Sequence, residues 1–500
     1  MKFIPLFIIL PLSGAFVLSL FGKRNGKISS LISNAIMLSL FILSLFMLTK
    51  VNSSALPFVY EIGGWKPPVG IPFVLDGLAV FMLTIINFLG LIVNIFCVNY
   101  IRNFTAKGKF YMLLLITIAG MNGVVMSGDI FNLFVFFEIA SLASYALVAY
   151  GNEAEEFEAA FKYAVMGVVG SLFILLAITF IYSSTSTLNM ASIAKTLAEN
   201  GKNSAIIFAS ILLIAGFGLK SGFVPFHGWL ADAYSAAPAP ISALFSGIFS
   251  KALGLYAICR IFFCVIGANQ AFLSLLMFLG AVSILVGGLL ALGQTDLKRM
   301  MAYSSISQVG YIILAFGIGT PLSIFAALFH LFNHAIFKSL LFLNTGALEH
   351  TTGTRNLENL GGLRIKMPVT SATSLIASMS TCGVPPFSGF FSKLLIIVAC
   401  IESSHFGYAG LAILGAILTI SYLMKFQKSV FFGHLKENLK NITEVPFLMK
   451  LPMAILALIC IFGAVIAMPK IANLFLRPAQ ESLSGGVGYS ESISQALYDN

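Results

Sequence analysis

Charge is scarce in this chain of 500 residues: 10% are Asp, Glu, Lys or Arg, against 58% hydrophobic residues. Soluble globular proteins average about 25% charged residues. The composition therefore leaves little room for a soluble domain and is that of a polytopic membrane protein. Cysteine is sparse as well. Cys97, Cys259, Cys264, Cys382, Cys400 and Cys460 all lie in apolar stretches, and none forms a CxxC pair. Iron–sulfur or zinc ligation needs clustered thiolates at short spacing, so the six read as small packing residues and no cofactor is expected. There is no GxxxxGK loop and no GxGxxG, which disfavours a nucleotide-driven pump. No Ser/His/Asp or Cys/His hydrolase pattern stands out, so no residue is assigned as catalytic. The net charge is +10, but no basic face with interleaved aromatics accompanies it, and nucleic acid is not an expected partner.

What the chain has is apolar runs. About 20 apolar residues cross a bilayer, and on that ruler the sequence predicts an all-α fold of about fourteen transmembrane helices. The first 22 residues read as a retained span rather than a cleaved signal peptide. The runs at 204–233 and 367–401 are too long and too interrupted to be simple spans. Residues 50–72 read as a Pro/Gly-rich loop and 471–500 as a partly disordered tail. The loops after odd-numbered spans carry 16 Lys and Arg against 8 on the other side. That split points the odd loops to the cytoplasm and both termini outward, in a multi-pass protein of the cell membrane.

Ionised groups are costly at bilayer depth and need water, a partner or a changed protonation state. Several lie inside the expected spans. In GFGLKSGFVPFHGWLADAYSAAPAPISALFSGIFSKALGLYAICR (216–260), Lys220 is followed by Gly222 and Pro225, so its helix should break just beyond it. Broken helices build ion sites in transporters; a proline kink with a lysine snorkelling outward is the plainer reading. Lys251 sits near mid-span among Gly247, Ser250 and Gly254, where a buried, polar-lined place is expected. Glu138, nine residues into a Phe-rich span, suggests a partner for Lys220, either functional or purely structural. Asp129 nearby reads as a helix cap. His330, His334 and Lys338 are spaced i, i+4, i+8 on one helical face. They suit a proton relay, structural hydrogen bonding, or a metal site for which no completing ligand is evident. In CGVPPFSGFFSKLL (382–395), Gly383, Pro385 and Pro386 break a second long helix and Lys393 follows. The lysine precedes the prolines in one broken helix and follows them in the other. That mirror order suits two five-helix units of inverted topology, 110–265 and 270–432, with 1–109 holding helices 1–3 and 433–500 the last span and tail. Lys162, one turn after Glu158, reads as a solvated ion pair. Ser304, Ser305, Ser307 and Gln308 lie in a helix where they could order water.

The set FVFFEIASLASY, GLKSGFVPFHGWLADAYSAAPAPISALFSG, LKRMMAYSSISQVGY, FHLFNHAIFKSLLF and GVPPFSGFFSK, spread over about residues 75–430, resembles the antiporter-like subunits of complex I and of Mrp-type cation/proton antiporters. The look is closest to the D-type subunits of Mrp antiporters and their counterparts in membrane-bound hydrogenases. The resemblance implies fourteen helices with two inverted five-helix repeats. It implies that Glu138 pairs with Lys220, and that protons pass by way of Lys251, His330, His334, Lys338 and Lys393. It implies membrane subunits of the same complex as partners, with protons and Na⁺ as the transported ions. Two other readings stand beside a Na⁺/H⁺ antiporter subunit. One is the membrane subunit of an ion-pumping respiratory complex, with no redox centre of its own. The other is a non-conducting scaffold.

Overall fold

Among the described residues, the computed structural model has twelve helices long and apolar enough to cross a membrane. It describes residues 3–21, 26–54, 56–67, 69–104, 106–151, 153–486 and 488–498. Lys2, Gly22, Lys23, Arg24 and Pro68, which the sequence reading places in the first span and the loops, lie outside them, as do tail residues 487, 499 and 500.

In chain order the helices are α1 (Leu6–Phe21), α2 (Gly26–Asn52), α3 (Gly77–Tyr100), α4 (Lys107–Met126), α5 (Ile130–Val148), α6 (Ala154–Thr185), α7 (Met190–Asn200), α8 (Ser204–Ser221) and α9 (Leu230–Ala236). They continue as α10 (Ala239–Val265), α11 (Gln270–Leu292), α12 (Leu297–Ile318), α13 (Pro321–Thr352), α14 (Pro368–Cys382), α15 (Ser388–Glu402), α16 (Phe406–Val430), α17 (Phe447–Phe462), α18 (Pro469–Phe475), α19 (Arg477–Ser484) and α20 (Gly488–Tyr498). The expected run at 367–401 is two helices of 15 residues each, α14 and α15, and α1 has 16. Each is shorter than a helix that spans alone, which is why twelve helices meet the length rule and not fourteen.

The caps are written in the sequence. Asp76, Asp129, Asn203, Asn269, Asp296 and Thr320 each accept a backbone N–H in the first turn of the helix that follows, as short polar side chains do at N-caps. Asp129 is thus the cap the sequence predicts. A pattern recurs between the halves. Asp129 bridges Asn189 and Asp296 bridges Asn356, both 60 residues apart (129 to 189, 296 to 356). In each, two backbone hydrogen bonds run between the strand-like residues beside the cap.

Three expectations are corrected. The 50–72 loop contains an antiparallel pair, β1 (Phe58–Glu61) with β2 (Pro72–Leu75), because Phe58, Val59, Phe73, Val74 and Leu75 supply apolar and β-branched residues between the prolines. The tail is helical through α18–α20 and packs on the body, with Pro478 against Gly77 and Tyr489 over the Arg260 guanidinium. Arg260 and Lys298, counted among the loop charges, are buried in α10 and α12. Without them the split is still 15 to 7.

Candidate functional site

α8 stops where Gly222 takes φ +70°, a left-handed conformation that only glycine adopts freely. Its N–H caps Gly218 O, and Pro225 cannot donate to continue the helix. The indole of Trp229 donates to Leu219 O at 2.7 Å, so a carbonyl freed by the break is satisfied at depth. Lys220, on the last turn, is buried. Its ammonium donates to Ser141 Oγ at 3.0 Å and Tyr145 OH at 3.2 Å, and stands 4.7 Å from the Phe137 ring centroid. Glu138 Oε1 is 3.9 Å away, longer than a direct hydrogen bond, and accepts instead from the Ser171 hydroxyl. The Glu138 side chain is 27% exposed against 2% for Lys220. The carboxylate is therefore shared between Ser171 and Lys220 rather than locked to the lysine.

Lys251 lies in α10, every residue of which is buried. The helix widens to π-type turns at Phe245–Phe249, Lys251–Leu255 and Arg260–Val265, a distortion common at functional sites. The Lys251 ammonium donates to Ser246 O and to Ser250 Oγ at 3.2 Å. Two glycines let α10 touch both neighbours that carry charge. A Cβ at Gly254 would sit 1.8 Å from Ser221 Oγ, and one at Gly247 would sit 2.2 Å from Ser339 Oγ. Ser221 adjoins Lys220 and Ser339 adjoins Lys338, so α10 bridges α8 and α13.

On α13, His330, His334 and Lys338 are all buried. His330 Nδ1 is 2.9 Å from Ser392 Oγ, while its Nε2 and both ring nitrogens of His334 meet no hydrogen-bond partner among the described residues. Lys338 donates to Ser304 Oγ, which is 2.5 Å from Tyr422 OH. Past the second break, at Gly383 with φ +80° and Pro385–Pro386, the buried Lys393 donates to Thr381 O at 2.8 Å. An ammonium there satisfies a carbonyl at the C-terminal, negative end of a half-helix. The metal reading of the His pair finds no third ligand among the described residues.

The structure thus sets Glu138 beside Lys220, packs α10, which carries Lys251, against α8 and α13, and joins His330 of α13 to Ser392, the neighbour of Lys393, on α15. Lys162 pairs with Glu158 at 2.7 Å as expected, and also with Asp232 at 3.2 Å. Sequence reasoning missed two buried pairs. Arg260 grips Asp76 bidentately at 2.6 and 2.7 Å; the apolar run continuing through Ile261–Ile266 was the signal that Arg260 lies inside its helix. Lys298 pairs with Glu349 at 3.0 Å and donates to Ala237 O. Beside it, burial opposes the charge of Arg355, but Asp296, Glu349 and Glu155 outweigh it and hold the guanidinium protonated, above its usual range.

The family described as NADH:quinone oxidoreductase/Mrp antiporter, transmembrane, matches residues 127–419. The chain is 35% identical to the N-type subunit of the NADH-quinone oxidoreductase of Desulforudis audaxviator, over 81% of this chain and 83% of that one. It is 34% identical to the D-type subunit of the Na⁺/H⁺ antiporter of Alkalihalophilus pseudofirmus, over 86% and 88%. A chain of the Mrp complex from a Dietzia species superposes with a TM-score of 0.91 at 26% identity, covering 98% of this chain and 99% of that one. A chain of the membrane-bound sulfane sulfur reductase, an archaeal respiratory membrane complex, superposes with a TM-score of 0.91 at 32% identity, over 99% and 100%. With the matched region enclosing Glu138, both helix breaks and the buried Lys220, Lys251, Lys338 and Lys393, the chain belongs to the NADH:quinone oxidoreductase/Mrp antiporter transmembrane family.

Proposed function

We propose that this chain is the proton-translocating subunit of a multi-subunit Na⁺/H⁺ antiporter, of the Mrp D type. Protons enter beside Lys220, whose attraction to Glu138 changes with its charge, and pass by Lys251, His334, Lys338 and His330 to Lys393. One observation carries this reading. Four lysines, Lys220, Lys251, Lys338 and Lys393, are buried, and among the described residues only Glu138 lies within 4 Å of any of them as a counter-charge. Removing a charge from water without a partner is costly, so a purely structural interior gains nothing from this arrangement. An interior whose proton content changes at small cost does. The scaffold reading has no use for it.

The same reading takes 110–265 and 270–432 as two five-helix repeats of inverted topology within fourteen spans, and puts both termini outside. The paired Asp–Asn bridges and the mirrored helix breaks support the repeats. Other membrane subunits are the partners, and Na⁺ crosses with the complex.

A second reading, the pumping membrane subunit of a respiratory complex, is favoured by the similarity to the NADH-quinone oxidoreductase chain and to the sulfane sulfur reductase chain. The pore chemistry is the same and only the driver differs. Purification of the native complex separates the two, since an iron–sulfur subunit in it favours the second. For either, Glu138→Ala and Lys220→Ala variants that assemble are expected to lose ΔpH-driven transport in vesicles. Full transport in both would sink the relay.

A further inference from the structure

The basic residues of the first helices gather in one place. A cavity of about 460 Å³ lies where the start of α2, the end of α3 and the start of α4 meet, and Lys27, Arg102 and Lys107 line it together with Ser30, Asn99 and Tyr111. Its size falls within the range of small-ligand sites, about 300–1,000 Å³. Among the described residues, no Asp or Glu lines it. The helix ends add to the positive charge. α2 begins at Gly26 and α4 at Lys107, and neither has an acidic residue in its first turn. Ala106, at the N-cap of α4, supplies no side-chain cap. The two N-termini meet closely, since a Cβ on Gly26 would sit 2.7 Å from Lys107 Cδ. Helix N-termini favour anions and disfavour cations, yet here both first turns carry lysine.

The positive-inside rule explains an excess of basic residues in the loops of one side. It does not explain their convergence on a cavity with two helix N-termini, nor the state of Tyr111. That residue is buried, with 1% of its surface exposed. Its hydroxyl lies near Ser30 but is in hydrogen-bonding geometry with no atom among the described residues. A buried hydroxyl is rarely left unbonded. Beside Ser30 the surface of α2 turns apolar, with Ile28 53% and Leu31 71% exposed. Cations and a hydroxyl donor thus adjoin a strip suited to acyl chains.

We propose that this cavity binds the phosphate headgroup of an anionic phospholipid. Lys27, Arg102 and Lys107 neutralise the phosphate, the Tyr111 hydroxyl donates to it, and the acyl chains run along α2 past Ile28 and Leu31. Basic pockets between transmembrane helices recognise lipid headgroups in this way. A free phosphate would meet the same cations but make no use of the apolar strip. Nothing in this site depends on the lysine relay.

Titration of the detergent-purified complex with phosphatidylglycerol, with bound lipid counted by native mass spectrometry, is expected to fill a site that phosphatidylcholine does not. Arg102→Gln and Lys107→Gln should each weaken that binding about tenfold or more, as loss of one hydrogen bond to a charged group does. Lys109→Gln removes the same charge from an exposed position of α4 outside the cavity and should leave it unchanged. Tyr111→Phe keeps the ring and removes a hydroxyl that bonds nothing in the protein. It should weaken the binding about tenfold and leave the melting temperature of the complex without added lipid unchanged. Equal losses in all three charge variants, phosphatidylglycerol bound no better than phosphatidylcholine, or wild-type binding in Tyr111→Phe would overturn the site. Displacement of the phosphatidylglycerol by millimolar inorganic phosphate would make the occupant a free anion and overturn the lipid assignment.

Discussion

Lys220 is held by neutral oxygens and an aromatic face, with its one carboxylate at 3.9 Å. That geometry tolerates loss of the charge, because Ser141 and Tyr145 hydroxyls can donate as well as accept. A guanidinium would keep the positive charge and its attraction to Glu138 but does not release a proton in proteins. Lys220→Arg is therefore expected to assemble yet lose about tenfold or more of ΔpH-driven transport, as an essential acid–base group does. Wild-type rates for Lys220→Arg would show that proton release at this position is not part of the cycle. Asp76 and Arg260 are the contrasting case. Tyr256 OH also accepts from Arg260 Nε at 3.2 Å, but among the described residues Asp76 is the one carboxylate paired with the buried guanidinium, so Asp76→Asn is expected to destabilise the complex by about 3–5 kcal/mol, the cost of stranding one buried charge. Asp76→Leu with Arg260→Met should cost less than either single change, measured as melting temperature of the purified complex.

At the scale of helices, the close passage of α10 past α13 is set by Gly247. A Cβ there meets Ser339 Oγ at 2.2 Å. Gly247→Ala is expected to cost about 1–3 kcal/mol, and Ser339→Ala in the same chain to return part of it, a coupling that a double-mutant cycle reads directly. Additive losses would mean that the two helices do not meet there. This contact also marks what was legible beforehand. The breaks at Gly222/Pro225 and Gly383/Pro385–Pro386 could be read because glycine and proline act locally, through φ and a missing donor. The His330–His334–Lys338 stripe could be read because helical periodicity is local too. The Asp76–Arg260 and Lys298–Glu349 pairs could not, because each joins distant parts of the chain and apolar length alone does not say which side of a span end is buried. The amphipathic α7 and the tail helices escaped for a related reason: they cross nothing, so a ruler built on bilayer thickness passes over them. The 60-residue Asp–Asn spacing was present in the sequence, but its meaning needed the backbone bridges.

For the whole molecule, the direction of proton flow depends on which face looks inward. The orientation proposed above rests on the excess of Lys and Arg on the side of the 353–367 and 431–446 segments. That excess survives removal of the buried Arg260 and Lys298 from the count. The six native cysteines are all buried, so they leave little background for thiol labelling. Val69, before β2, is 77% exposed and Ile365, before α14, is 82% exposed, and they lie in loops assigned to opposite sides. Val69→Cys is expected to react with a membrane-impermeant maleimide in intact cells, and Ile365→Cys only in inverted vesicles. The opposite pattern would turn the molecule over. The loop that holds Glu444 would then face outward, and the excess of Lys and Arg would lie on the outer side.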